Sequence, residues 1–180
     1  MSAHTLDEVL TAAQLGQPWA LRIVYDTLAP QVQGYLRAGG AAEPEELTSG
    51  VFLTVFTKLA TVTGGVSGLR TFTFSVAHAR LVDALRKQQR RPAALTYEPL
   101  RDQRRSPSAE TEAEQRASAE RTSALLARLP PDQRTVLTLR IIADLSLEEV
   151  ATAIGRSTGA VKQLQRRALI TLKGEVQGYA

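Results

Sequence analysis

The segment from Asp144 to Lys173 constrains the chain more than any other, because each of its parts dictates the next. Ser146 followed three residues later by Glu149 is a capping box, which starts a helix by satisfying two orphan backbone donors reciprocally. Leu147, Val150, Ala151 and Ile154 then mark the buried face of a short helix. Gly155 supplies a turn residue that tolerates positive φ. Ser157 caps a second helix, whose buried stripe is Val161, Leu164, Ala168 and Leu172. Two helices joined by a short glycine turn form a helix-turn-helix, which inserts its second helix into the major groove of DNA, N-terminal residues first. The opposite face of that helix carries Lys162, Gln163, Arg166 and Arg167, preceded by Arg156. Five basic residues and no acidic one lie between Arg156 and Lys173. Arginine and glutamine can pair bidentately with guanine and adenine edges, while Lys162, Ser157 and Thr158 suit phosphates. A basic helix in a bundle is often no more than a solvated face. Here cap, turn, stripe and charge all agree, and DNA binding is the stronger reading.

The rest of the chain is helical by the same test, and the predicted fold class is all-α. Aromatic residues make up 5% of the 180, so a core must rest on Leu, Val, Ile and Ala, which favours helices. Leu6, Val9, Leu10 and Ala13 mark a first helix. Pro18 opens a second, carried by Leu21, Val24, Leu28, Val32 and Tyr35/Leu36, in which Pro30 predicts a kink or a break. A helix over Pro44–Ala60 has the stripe Leu47, Val51/Phe52, Val55/Phe56 and Leu59. Thr61–Gly68 is too rich in glycine for regular structure and reads as a loop. A long helix follows over Leu69–Gln89, with Leu69, Phe72, Val76 and Ala79 as its stripe and a basic end. Pro92 to about Ala113 holds three prolines and mixed charge, and reads as a flexible linker. The predicted organisation is a domain over 1–91, a linker over 92–113 and a second domain over 114–180. In the second domain, Ala117, Arg121, Ala124/Leu125 and Arg128/Leu129 mark one helix that ends at Pro130-Pro131. Val136, Leu139/Arg140 and Ala143 mark the next.

Several function classes are excluded. There is no cysteine, hence no disulfide, thiolate metal site or thiol nucleophile. His4 and His78 have no metal-ligand spacing. No carboxylate pair sits with a histidine or nucleophile in a pocket pattern, so neither an enzyme nor a bound cofactor is expected. The chain lacks an apolar run of membrane-spanning length and a signal peptide, which predicts a cytoplasmic protein. The formal charge of +4 is modest, and it is the clustering of basic residues that points to nucleic acid.

At this point the chain resembles a known family. The run Leu129-Pro130-Pro131-Asp132-Gln133-Arg134 through Leu137, then Leu145-Ser146-Leu147-Glu148-Glu149-Val150-Ala151, then Gly155-Arg156-Ser157-Thr158-Gly159-Ala160-Val161-Lys162 and Arg166-Arg167-Ala168 are similar to region four of the extracytoplasmic-function (ECF) sigma factors. Independently, Tyr25–Pro30 with Tyr35-Leu36, Glu46-Leu47-Thr48 with Val51-Phe52-Leu53, and Phe74–Asp83 with Leu85-Arg86 are similar to region two. The resemblance implies a promoter-specific initiation factor with RNA polymerase core and promoter DNA as partners, and an anti-sigma factor that clamps the two domains and can hold them idle near a membrane. It implies that Glu46, Leu47, Thr48, Val51 and Phe52 grip the polymerase clamp helices. It implies that Phe72, His78, Arg80, Arg86 and Lys87 open and read the minus-ten element, while the helix-turn-helix reads the minus-thirty-five element. Two departures from the family stand out: Ser49-Gly50 replaces its usual glutamine-glutamate, and Phe72 stands for its usual tryptophan. For Phe52 and Phe56 the helical periodicity favours core packing. A stand-alone helix-turn-helix regulator is the main alternative, and a sigma-like pair held mainly by a protein partner is a third.

Overall fold

Val24, Leu28, Val32, Tyr35 and Leu36 recur every three or four residues along the second helix, and all five are buried. Around that row the first half of the chain assembles. The computed structural model describes residues 6–90 and 124–177, with side chains from 8 to 90 and from 124 to 174. The elements are α1 (Leu6–Gln14), α2 (Pro18–Ala38), α3 (Pro44–Lys58), a 3₁₀ turn (Leu59–Thr61), α4 (Gly65–Arg90), a helical turn over 124–127, α5 (Pro131–Ile141), α6 (Leu147–Ile154) and α7 (Thr158–Gln177). Among the described residues there is no strand. The all-α expectation stands. The linker expected over 92–113 lies outside the described residues.

α2 packs on α1, α3 and α4, and α3 packs on α4. Val51, Phe52, Val55 and Leu59 supply the inner side of α3, as the periodicity predicts. Pro30 sits inside α2, yet the helix is not divided there. An interior proline costs about 3 kcal/mol, whereas each large apolar side chain contributes roughly 1.5–3 kcal/mol when buried. The buried residues on both sides of Pro30 therefore outweigh it.

Two further expectations need correction. α4 begins at Gly65, inside the stretch predicted as a loop. Gly64 (φ +85) and Gly65 (φ +63) make the turn, and Gly68 crosses so close to the preceding chain that a Cβ there would lie 1.8 Å from the Thr63 carbonyl oxygen. These glycines permit a tight entry into a helix rather than disorder. The buried row of α4 is Leu69, Thr73, Phe74, Ala77 and Leu81, with Phe72 and Val76 half-buried and Ala79 exposed. α4 is covered by α2 and α3 and also by α6, so a single-stripe reading misplaces its faces.

In the second half, Arg134 donates to the carbonyls of Leu126 (3.0 Å), Ala127 (2.7 Å) and Leu129 (3.2 Å), tying α5 to the helical turn before it. Leu126 and Leu129 are the buried residues of that turn, while Leu125 is exposed. α5, α6 and α7 pack on one another, and α6 also packs on α4. One cluster of buried apolar side chains consequently runs from Val9 in α1 to Val161 in α7.

Candidate nucleic-acid interface

The capping box forms as its residues require. The Glu149 amide donates to Ser146 Oγ (3.1 Å) and the Ser146 amide donates to Glu149 Oε2 (2.6 Å). Gly155 takes the left-handed conformation (φ 65, ψ 37), which ends α6 and turns the chain. Ser157 Oγ accepts from the Ala160 amide (3.2 Å) and caps α7. Val161 and Ala168 are fully buried and Leu164 and Leu172 half-buried, so the inner stripe of α7 anchors its orientation.

That anchoring leaves Lys162, Gln163, Arg166 and Arg167 exposed together on one face. Arg156 precedes the helix, and its Nη2 lies 2.8 Å from Asp132 Oδ2 in a solvent-exposed ion pair. Such a pair contributes about 0–1 kcal/mol, weak enough for a phosphate to displace the aspartate. Thr158 is half-buried at the first turn of α7, beside free backbone amides that attract anions. The outer face continues into Leu169 and Ile170, both more than half exposed, flanked by Arg166 and Lys173. Those two apolar residues were missed in the sequence. Their spacing falls between the two stripes, so burial alone reveals them.

The basic candidates on α4 do not gather on one face. The Tyr35 hydroxyl is 2.8 Å from His78 Nδ1. Burial raises the Tyr35 pKa, so its hydroxyl keeps its proton and shares a hydrogen bond with His78 Nδ1. Burial also lowers the His78 pKa, with Asp132 opposing and Arg156 reinforcing that shift. Burial therefore favours the neutral imidazole. Arg80 turns the other way: its Nη2 donates to Thr54 Oγ1 of α3 (2.8 Å) and its guanidinium lies against Gly50. Arg86 is exposed, 3.9 Å from Asp83, and Phe72 is half-buried. Lys87 lines a groove with Glu46 and Leu47, between the start of α3 and the end of α4.

On α3, Glu46 is exposed and Leu47 half-buried, whereas Thr48, Val51 and Phe52 face inward. Thr48 Oγ1 donates to the Pro44 carbonyl (2.7 Å), and the Phe52 ring meets Tyr25 edge-on at 4.7 Å. Leu53 projects outward and is 71% exposed, an apolar residue on the outer face of α3 that the sequence reading did not single out.

A cavity of about 590 Å³ lies between the two halves of the molecule. It brings His78 and Arg86 of α4 together with Asp132, Arg134 and Arg156 from α5 and the turn before α7. Nearby, Ser67 donates to Glu149 Oε1, and Arg70 donates to the Ala143 carbonyl. Burial pushes the Glu149 carboxyl up, but hydrogen bonds from Ser67 and Ser146 and the charge of Arg70 outweigh it and hold the group below the ordinary carboxylate range.

A helix-turn-helix with a basic outer face, packed on a four-helix unit, defines a class, and comparison with known proteins narrows it. Residues 125–174 match region 4 of the sigma-70 family. The ECF RNA polymerase sigma factor SigD of Mycobacterium tuberculosis is 35% identical, over 98% of this chain and 86% of its own length. BldN of Streptomyces coelicolor, another ECF RNA polymerase sigma factor, is 32% identical over 92% of this chain and 63% of its own. The structure of CnrH in complex with the cytosolic domain of CnrY covers 98% of this chain and all of CnrH, with a TM-score of 0.71 and 18% identity, a likeness of fold. This chain belongs to the ECF sigma factors. It is a transcription initiation factor of that class.

Proposed function

We propose that this chain holds RNA polymerase core on two stretches of promoter DNA, α7 reading the upstream element and α4 the downstream one. The carrying observation is the outer face of α7, where Lys162, Gln163, Arg166 and Arg167 project together from a capped, buried-stripe helix. Guanidinium and amide groups on that face can pair with base edges, and Arg156, Ser157 and Thr158 at its start face the phosphates. On α4 the role falls to Phe72, His78, Arg86 and Lys87, with Arg80 bracing α3 from behind. Polymerase contact from α3 falls to Glu46, Leu47 and the exposed Leu53, while Thr48, Val51 and Phe52 support that helix from the core.

The division into domains over 1–91 and 114–180, joined by a flexible segment over 92–113, lets one polymerase span both elements. The chain acts by binding, without catalysis, cofactor or metal, in the cytoplasm. An anti-sigma factor is the expected inhibitor, and the solved CnrH complex with the cytosolic domain of CnrY supports a partner of that kind. Among the described residues, no helix is long and apolar enough to cross a membrane.

The test is transcription from a library of promoter fragments by core polymerase with and without this protein. Protein-dependent transcripts sharing two spaced upstream elements are expected. Specific duplex binding without polymerase, and no such transcripts, would instead establish a stand-alone regulator.

A further inference from the structure

We propose that the cavity between the two halves is a binding site for a small amphipathic anion, an alkyl or aryl body that ends in a carboxylate. Such a site stands apart from promoter reading and needs neither polymerase nor DNA.

The walls suit the apolar body. Val82 and Leu85 come from α4, Ile154 from the end of α6 and Leu164 from α7, and all four are half-buried. Apolar surface that packing has left uncovered therefore lines the cavity, and covering it with a ligand removes it from water. At the end of α2, Gly39 and Gly40 border the space without a side chain; a Cβ on Gly39 would lie 2.3 Å from Leu81 Cδ2. The volume of about 590 Å³ falls within the roughly 300–1,000 Å³ of small-molecule sites, which favour seams between domains and are mostly apolar with a few polar groups.

The charges set the sign of the head group. Arg86, Arg134 and Arg156 line the cavity, and among the described residues Asp132 is the one carboxylate that does. The three guanidiniums differ in how free they are. Arg134 is committed to the carbonyls of Leu126, Ala127 and Leu129, so it adds positive potential without a free fork. Arg86 is exposed and 3.9 Å from Asp83, too far for a hydrogen bond. Arg156 holds Asp132 at 2.8 Å in an exposed pair that exchanges easily. A carboxylate can take the planar fork of Arg86, or replace Asp132 on Arg156, while its body covers Leu85 and Ile154. A cation would meet net repulsion, and a neutral alcohol would leave the guanidiniums unmatched.

The probe is octanoate, titrated into the full chain by calorimetry, with octanol and octyltrimethylammonium as controls of equal chain length. Octanoate should bind saturably at one site and raise Tm by about 3–6 °C at tenfold its Kd, and neither control should do so. Arg86→Glu should weaken binding by about tenfold or more, the usual loss for a charged hydrogen bond. Asp132→Asn removes the competitor for Arg156 and should tighten it. Ile154→Trp fills the cavity and should abolish binding, with circular dichroism checking that each variant is folded. Lys58→Glu makes the same charge change on α3, away from the cavity, and should leave the affinity as it was. No saturable octanoate binding, or equal binding of octanol, would overturn the proposal. So would an affinity unchanged in folded Arg86→Glu and Ile154→Trp, or a loss in Lys58→Glu as large as in Arg86→Glu, which would mark general charge attraction.

Discussion

An ideal Cβ at Gly50 would lie 2.9 Å from Arg80 Nη1, so a glycine that weakens α3 by about 1 kcal/mol relative to alanine also makes room for a guanidinium. Residue by residue, neighbours of this kind decide what each charged group is free to do. Among the described residues, no such neighbour holds Arg166 or Gln163, and both stand exposed on α7. Replacing either by alanine should weaken upstream-element recognition by about 1–3 kcal/mol if it makes a bidentate base contact. Binding titrations against matched and mismatched duplexes check this; equal losses on every duplex would assign the residue to phosphate instead. His78 is at the other extreme, packed under Tyr35 and facing Asp132 and Arg156. Its native pKa lies below the ordinary value of 6.5, so the unfolded chain takes up a proton before the folded one as pH falls. The stability it contributes is complete above 6.5 and is lost as pH drops towards the lowered native value. Melting curves between about pH 5 and 7 should show this decline, and His78→Gln should flatten it.

Single elements depend on their ends. α6 has eight residues, too few to be stable alone, and is held by its capping box and its left-handed Gly155. Ser146→Ala should cost about 1 kcal/mol in a chemical denaturation measurement, within the range of roughly 0.5–2 for lost caps. A null effect would mean that packing on α4 and α7 holds α6 without its cap. α4 depends on its entry in a different way. Gly68 lies against the backbone of Thr63, so Gly68→Ala must shift main chain rather than a flexible side chain. It should destabilise the protein by about 1–3 kcal/mol, the usual range for overpacking, despite alanine's better helix propensity. A rise in Tm would show that the turn at Gly64–Gly65 can relax freely.

Across the whole molecule, the two halves are both joined by chain and packed against each other. Removing about half of the Pro92–Ala113 segment should reduce transcription while leaving helical content and melting behaviour unchanged, because the proposed two-site binding needs reach and folding does not. Circular dichroism beside a transcription assay separates these; loss of helical signal would move the domain boundary into that segment. Much of the fold was legible in the chain. Periodicity marked the buried rows of α2 and α3, and Ser146, Glu149, Gly155 and Ser157 marked the ends of α6 and α7. These are local facts, set by spacing along one helix and by hydrogen bonds within a few residues, and sequence records them directly. The basic face of α7 is likewise local, since the buried stripe leaves it one side to occupy. What sequence alone did not determine depends on what lies across a gap: the partition of α4 between two packing partners, the inward turn of Thr48, the capture of Arg80 by Gly50 and Thr54, and the closure of Ile142 onto Gly34. Each is a contact between residues remote in the chain, with no periodicity to announce it, and the packed structure alone brings the two sides together.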